Sequence, residues 1–164
     1  MATFSLDIVS EYDKAEMNNV FAGVQRDISQ RYDFRGTPAD IEWLDDKAGF
    51  KVTGAGDWQI ESIIDLIRKH LASRGQTSKT LDLTKVIVPG SMKSSQEIPF
   101  VEGLDQAKAK KVTALIRENF PKSKPQIQGE VVRVVSGSKD DLQAIMKLLR
   151  EADFDFAVNF TNFR

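Results

Sequence analysis

The order of elements predicts an α+β chain: strand, helix, strand, strand, helix, strand over roughly residues 1–90, and the same order again from about residue 95 to 164. Three observations carry that reading. Period-two alternation of apolar residues marks the strands, spacing of three and four marks four amphipathic helices, and the breaker-rich stretch Pro89-Gly90-Ser91-Met92-Lys93-Ser94-Ser95 falls near mid-chain. A βαββαβ unit folds as a four-stranded antiparallel sheet with both helices on one face, so two units leave two open sheet faces and a cleft between them. The expected domains are 1–90 and 91–164. One alternative topology stays open: the N-terminal strand can complete the second sheet while the mid-chain strand completes the first.

The first strand, Phe4 to Glu11, sets Phe4, Leu6 and Ile8 on one face and Ser5, Asp7 and Val9 on the other. A helix follows from about Ala15 to Tyr32, with Met17, Val20, Phe21, Val24 and Ile28 as its apolar stripe. Ala39 to Leu44 and Phe50 to Gly54 read as a hairpin around Asp45-Asp46-Lys47-Ala48-Gly49. The next helix begins at Asp57, expected to cap it, turns Ile60, Ile63, Ile64, Ile67 and Leu71 inward, and stops at Gly75. Leu81 to Val88 is expected as the fourth strand.

In the second repeat, Pro99 interrupts Gln96 to Glu102 and suits an edge strand. Leu104 to Phe120 reads as a helix ended by Pro121 and Pro125, with Val112, Leu115 and Ile116 inward. Gln126 to Gln128 and Val131 to Ser136 form a hairpin about Gly129-Glu130. Ser138 and Asp141 stand at capping-box distance before a helix with Leu142, Ile145, Met146 and Leu149 at core spacing. Phe156 to Phe163 closes the chain as a strand.

Composition bounds the function. With 164 residues the chain has room for two small cores, and with no cysteine it has neither disulfides nor thiolate metal sites. No secretory leader or membrane-length apolar run is evident, which leads to the expectation of a soluble, cytoplasmic protein. The net charge of −1 divides as −3 over residues 1–90 and +2 over 91–164, too little positive charge for tight non-specific duplex binding. A small anion in a local basic pocket is compatible with it.

Enzyme signatures are largely absent. The sole histidine, His70, flanks an apolar stripe and reads as a packing residue, so triads and most transition-metal sites lack material. No catalytic residue, metal or cofactor is expected. Asp45-Asp46 and Asp140-Asp141 read as a polar turn and a helix start, and Gly54-Ala55-Gly56 as a turn, since Asp57 beside it would repel an anion. Ser136-Gly137-Ser138-Lys139 is the better anion candidate, combining backbone N–H groups, hydroxyls and a lysine at a helix entrance. If Ile127, Val132 and Val134 face the core, Gln126, Gln128, Val131 and Arg133 face outward, amides and a guanidinium on an open sheet able to meet base edges or phosphates, or simply water. Trp43, Trp58 and Phe50 are possible base-stacking groups, although such positions are more often core, and no RNA-recognition motif is present.

The blocks Asp7-Ile8-Val9-Ser10-Glu11, Arg31-Tyr32-Asp33-Phe34-Arg35-Gly36, Gln126 to Val134, Ser138 to Gln143 and Phe160-Thr161-Asn162-Phe163-Arg164 lie in both halves of the chain. Together, and in this order, they resemble the YajQ family of bacterial nucleotide-binding proteins over essentially the whole length. The resemblance implies two ferredoxin-like domains and noncatalytic binding of a nucleotide such as GTP, ATP or, in some members, cyclic di-GMP, or of single-stranded RNA, in a polar, basic cleft. Two paired domains without a long apolar edge suggest a monomer, and a protein partner that reads out binding is a further expectation. Carried over residue by residue, Arg35 is expected to contact phosphate and Asp33 to accept from base or ribose. Gln128, Arg133, Ser138 and Lys139 cluster around the second hairpin and the last helix, and Asn162 and Arg164 end the last strand. Two readings from other classes compete: an acylphosphatase-like phosphohydrolase, supported by fold analogy, and a protein-interaction adaptor.

Overall fold

The computed structural model describes residues 3–164 and divides the chain into two units: the segment through Glu11 together with Glu102–Arg164, and Tyr12–Val101. The fold is α+β, with two four-stranded antiparallel sheets and four helices among the described residues.

In the Tyr12–Val101 unit, Asp13 accepts from the backbone N–H groups of Ala15 and Glu16 and so caps α1 (Lys14–Gln30), whose Met17, Val20 and Val24 are buried. β2 (Asp40–Trp43), β3 (Gly49–Gly54), α2 (Asp57–Ser73), β4 (Val88–Pro89) and β5 (Ser94–Pro99) follow, and the sheet order is β2-β3-β5-β4. Ile41, Phe50, Val52 and Ile98 meet the helix residues Ile60, Ile63 and Ile67 in one core. Gly56, not Asp57, occupies the cap position of α2, and Asp57 is its first helical residue. Gly75, at φ +70°, ends the helix in the left-handed conformation expected there.

The other unit contains β1 (Phe4–Val9), α3 (Gln106–Asn119), β6 (Lys124–Gln128), β7 (Val131–Ser136), α4 (Lys139–Glu151) and β8 (Asn159–Thr161). Its sheet order is β6-β7-β1-β8. Leu6, Ile8, Val132 and Val134 pack with Val112, Ile116, Leu142 and Ile145. Ser138 caps α4 by accepting from the N–H of Asp141 at 3.2 Å.

Three strand expectations are corrected. The strand after the breaker stretch does not open the second repeat, and the alternative left open above is the arrangement found: β5 pairs with β3 along its whole length, while β1 lies between β7 and β8. Both sheets thereby acquire the same neighbour order, with β5 standing where β1 stands in the other. Reasoning along the chain assumes that sequence neighbours pair, and here side-chain fit overrides it. Leu6 and Ile8 match Val134 and Val132, whereas Ile98 lies opposite Phe50. Leu81–Val88 does not run as a strand: Leu81 forms a lone bridge to Phe100, and Asp82 then accepts from the N–H of Thr84, a local turn that diverts the chain. The last strand is also shorter than expected, because Phe156 is buried and stacked on Phe154 at 4.9 Å before β8 begins.

His70 holds α2 against α1. Its Nε2 lies 2.7 Å from Asp27 Oδ2, and its ring sits over Gly23, where an added Cβ would come within 2.6 Å of the ring. Gly23→Ala should gain about 0.5–1 kcal/mol of helix propensity. It should lose more, because the displaced ring gives up a hydrogen bond to a carboxylate worth about 1.5–3 kcal/mol. We expect a net loss of about 1 kcal/mol, read as a lower melting temperature. An unchanged or raised melting temperature would show that the ring moves freely.

Candidate nucleotide-contact face

The outer face of the β6-β7-β1-β8 sheet carries the most organised polar group in the structure. Alternation puts Leu6, Ile8, Val132 and Val134 in the core, so Asp7 and Arg133 point the other way. In-register partners share a face, and the register places Gln126 beside Arg133, Arg133 beside Asp7, and Asp7 beside Thr161. A continuous polar row thus crosses all four strands. On the edge strand β6 the inward positions are Pro125, which is buried, and Ile127, which the edge leaves 38% exposed.

Asp7 organises this row. Its side chain is 7% exposed and receives Arg133 Nε on Oδ1 at 2.9 Å and an Arg133 terminal nitrogen on Oδ2 at 3.3 Å. Asn162 Nδ2 donates to Oδ2 at 2.8 Å. Asn162 reaches that position from a left-handed backbone, φ +52°, which asparagine tolerates better than most residues. The hydrogen bonds from Arg133 hold the Asp7 carboxyl below its ordinary range against the opposing effect of burial, with help from Asn162 and the charge of Arg164. Asp7 in turn raises the Arg133 guanidinium. Arg164 is tied in by paired backbone hydrogen bonds with Ser5, both 3.0 Å.

A guanidinium carries five N–H donors, and Asp7 engages two of those on Arg133. The side chain is 45% exposed, so the remaining donors face solvent from a fixed position. Arg164 also acts on Asp7 through its charge, so a second cation stands near the pair. Gln126 and Gln128, whose amides approach each other at 3.5 Å, add donors and acceptors beside it.

Arg133, Asn162 and Arg164 therefore come together around Asp7, and Gln128 lies on the neighbouring strand. Ser138 uses its hydroxyl as the α4 cap, and its N–H donates to Ser136 Oγ at 3.2 Å. Lys139 Nζ stands 5.2 Å from the Phe4 ring centre. Asp33 and Arg35 belong to the Tyr12–Val101 unit. There Asp33 is exposed and paired with Arg31 at 2.7 Å, and the Arg35 guanidinium stands 5.7 Å from the exposed Tyr32 ring. Sequence reasoning left out Asp7 as a site residue, and named Gln126 only as one of the outward amides of the second hairpin. The visible signal for Asp7 was an acidic residue on the polar side of a half-buried strand, but its arginine lies 126 positions away.

Other features of the Tyr12–Val101 unit compete poorly as sites for an anion. Trp43 and Phe50 pack together in the core at 5.1 Å, and Gln59 Oε1 accepts the Ala55 N–H inside the Gly54-Ala55-Gly56 turn. A groove of about 400 Å³ is lined by Lys51, Lys85, Val86, Val88, Ser95 and Glu97. Its charges are matched, since Lys85 pairs with Glu97 at 3.2 Å and Lys51 lies between Glu42 and Glu97 in register. Among the described residues no cluster of three His, Asp or Glu can hold a metal ion, and no helix is long and apolar enough to cross a membrane.

Comparison with known proteins gives the same family across the whole chain. A family model described as nucleotide-binding protein YajQ-like matches residues 4–164. A protein of Nocardioides named as a nucleotide-binding protein is 39% identical over 165 residues, covering all of both chains. One of Streptomyces griseus with the same name is 40% identical over 165 residues, again covering all of both chains. A third, from Yersinia pestis, is 37% identical over 160 residues and 98% of each chain. Matched from Phe4 to its last residue, and sharing with these relatives a similarity that spans whole chains, this protein belongs to the YajQ-like family.

Proposed function

We propose that this protein binds a nucleotide on the outer face of the β6-β7-β1-β8 sheet, without turning it over. The observation that carries this reading is the half-exposed Arg133 guanidinium, pinned by a buried carboxylate and offering its unused N–H groups outward. A cation already fixed in place loses little side-chain entropy when a phosphate arrives. Arg164 supplies a second positive charge, and Gln126 and Gln128 supply the donors and acceptors that a base edge needs. The names of the relatives agree with nucleotide binding.

The net charge of −1 favours a small nucleotide, GTP, ATP or cyclic di-GMP, over RNA, because a long phosphate backbone requires many cations. Binding without catalysis is favoured because the best-placed carboxylate, Asp7, is fully engaged and held ionised, which suits neither a general acid nor a free base. An acylphosphatase-like reaction finds less support. It would require arginine and asparagine donors free for phosphate, and Asn162 is committed to Asp7.

Calorimetric titration of nucleotide-free protein with GTP, ATP, cyclic di-GMP and a short single-stranded RNA at two salt concentrations tests this reading. Arg133→Ala should weaken the bound nucleotide about tenfold or more, the scale of a lost charge-assisted hydrogen bond. Arg35→Ala, in the other unit, should leave affinity within about twofold. The opposite pattern would move the site to the Tyr32–Arg35 turn. Steeply salt-dependent binding to RNA alone would make phosphate-backbone contact the function.

A further inference from the structure

The end of the chain continues to pair with β1 after β8 has finished. Asp7 stands opposite Thr161, and the two segments meet again where Ser5 and Arg164 exchange backbone hydrogen bonds, both 3.0 Å. Between these two points β1 has one residue, Leu6, whereas the other segment has two, Asn162 and Phe163. Two residues opposite one make a β-bulge, and its first residue, Asn162, takes the left-handed backbone, φ +52°, that this position usually assigns to glycine.

The extra residue changes which side chains reach the outer face. Strict alternation would turn Asn162 and Arg164 toward the core, as Phe160 opposite Ile8 is turned. With the bulge, Arg164 stands opposite Ser5, and in-register partners share a face, so Arg164 joins Asp7 and Arg133 on the outer side. Asn162 is redirected as well. Its Nδ2 donates to Asp7 Oδ2 at 2.8 Å, a shorter bond than the 3.3 Å one that Arg133 makes to the same oxygen.

A carboxylate held by Arg133 alone can rotate about its own terminal torsion, which has a broad energy well, and trade the side-on contact with Nε for an end-on one. A second donor fixed on Oδ2 opposes that rotation. The guanidinium meets the carboxylate through two N–H groups, so its plane follows the carboxylate plane. Glycine would hold the same backbone with less strain but would bring no amide. We propose that Asn162 is a positioning residue of the nucleotide-contact face, fixing through Asp7 the direction in which the unused N–H groups of Arg133 point. The inference rests on the reading that Arg133 meets the nucleotide, and it sets Asn162 one step back from the ligand.

Asn162→Gly in the full chain tests it, because glycine keeps the left-handed backbone and removes only the amide. Calorimetric titration with GTP, ATP and cyclic di-GMP should show affinity for the bound nucleotide about fivefold weaker. In an Arg133→Lys background the same substitution should cost less than about twofold, since an ammonium group has no plane to hold. In the unliganded protein the Arg133 Nε–H, followed by NMR, should exchange with water about threefold faster or more. The backbone amides of β7 should keep their protection, which separates lost orientation from lost fold. An equal loss of affinity in the wild-type and Arg133→Lys backgrounds would overturn the proposal, because Asn162 would then touch the nucleotide itself. Unchanged affinity, or an unchanged Nε–H exchange rate, would also overturn it. If no nucleotide binds the wild type, the reading of the face fails and the exchange rate alone decides: a faster rate keeps Asn162 as the residue that orients Arg133, and an unchanged rate removes it.

Discussion

Phe50→Ala should remove about 3–5 kcal/mol of unfolding free energy, the range for truncating a fully buried phenylalanine. Phe50 is 0% exposed and lies at the centre of an aromatic cluster, 5.1 Å from Trp43, 4.9 Å from Phe100 and 6.1 Å from Phe21. No neighbour can collapse into the gap without breaking those ring contacts, which places the cost toward the upper end of the range. Because small domains hold only about 5–15 kcal/mol in total, the variant should be close to unfolded at body temperature. Urea unfolding followed by tryptophan fluorescence reads this directly, since both tryptophans, Trp43 and Trp58, lie in the Tyr12–Val101 unit. Phe50→Leu should recover more than half of the loss by refilling most of the volume. A loss below about 1 kcal/mol for the alanine variant would mean that the aromatic cluster repacks.

Asp7→Asn is the second large effect, and pH gives it a distinctive signature. At neutral pH the substitution replaces charge-assisted hydrogen bonds from Arg133 and sets an amide against the Asn162 amide, at an expected cost of about 1–3 kcal/mol. The folded-state pKa of Asp7 lies below its unfolded value. Its contribution is therefore complete above the unfolded carboxylate value of about 4 and is lost as pH falls through the lower folded value. The stabilities of wild type and variant should run parallel from pH 7 to about 5 and converge in stronger acid. The unit holding Asp7 contains no tryptophan or tyrosine, so the measurement requires hydrogen exchange of the β1 and β7 amides or far-ultraviolet circular dichroism. A gap that persists at low pH would mean that shape, and not charge, makes Asp7 important.

Local features of the fold were legible in the sequence wherever local rules decide them. The stripe Met17, Val20 and Val24 marks α1, Ser138 caps α4, and Gly129 turns the β6–β7 hairpin at φ +63°. Partner choice was not legible, because the alternating patterns of β1 and β5 each suit either sheet. Arg133 could be placed on an outward face from the alternation of Val132 and Val134 alone. That it is held by Asp7, and that Asn162 bends back to complete the group, depends on pairing between the two ends of the chain. Asp33 and Arg35 sit in a block as recognisable as the one holding Arg133, yet the fold assigns them to a different unit. Proximity in a motif inventory carried no information about proximity in space.

The placement of β1 between β7 and β8 also imposes a timetable on synthesis. Asp7 leaves the ribosome 126 residues ahead of Arg133, a delay of roughly 6–25 s at ordinary elongation rates. Throughout that interval Leu6 and Ile8 have no sheet to join, while Tyr12–Val101, which is continuous in sequence, emerges complete. The nascent chain thus finishes Tyr12–Val101 before β1 can pair with β7. Until then its earliest apolar strand is the segment most in need of a chaperone.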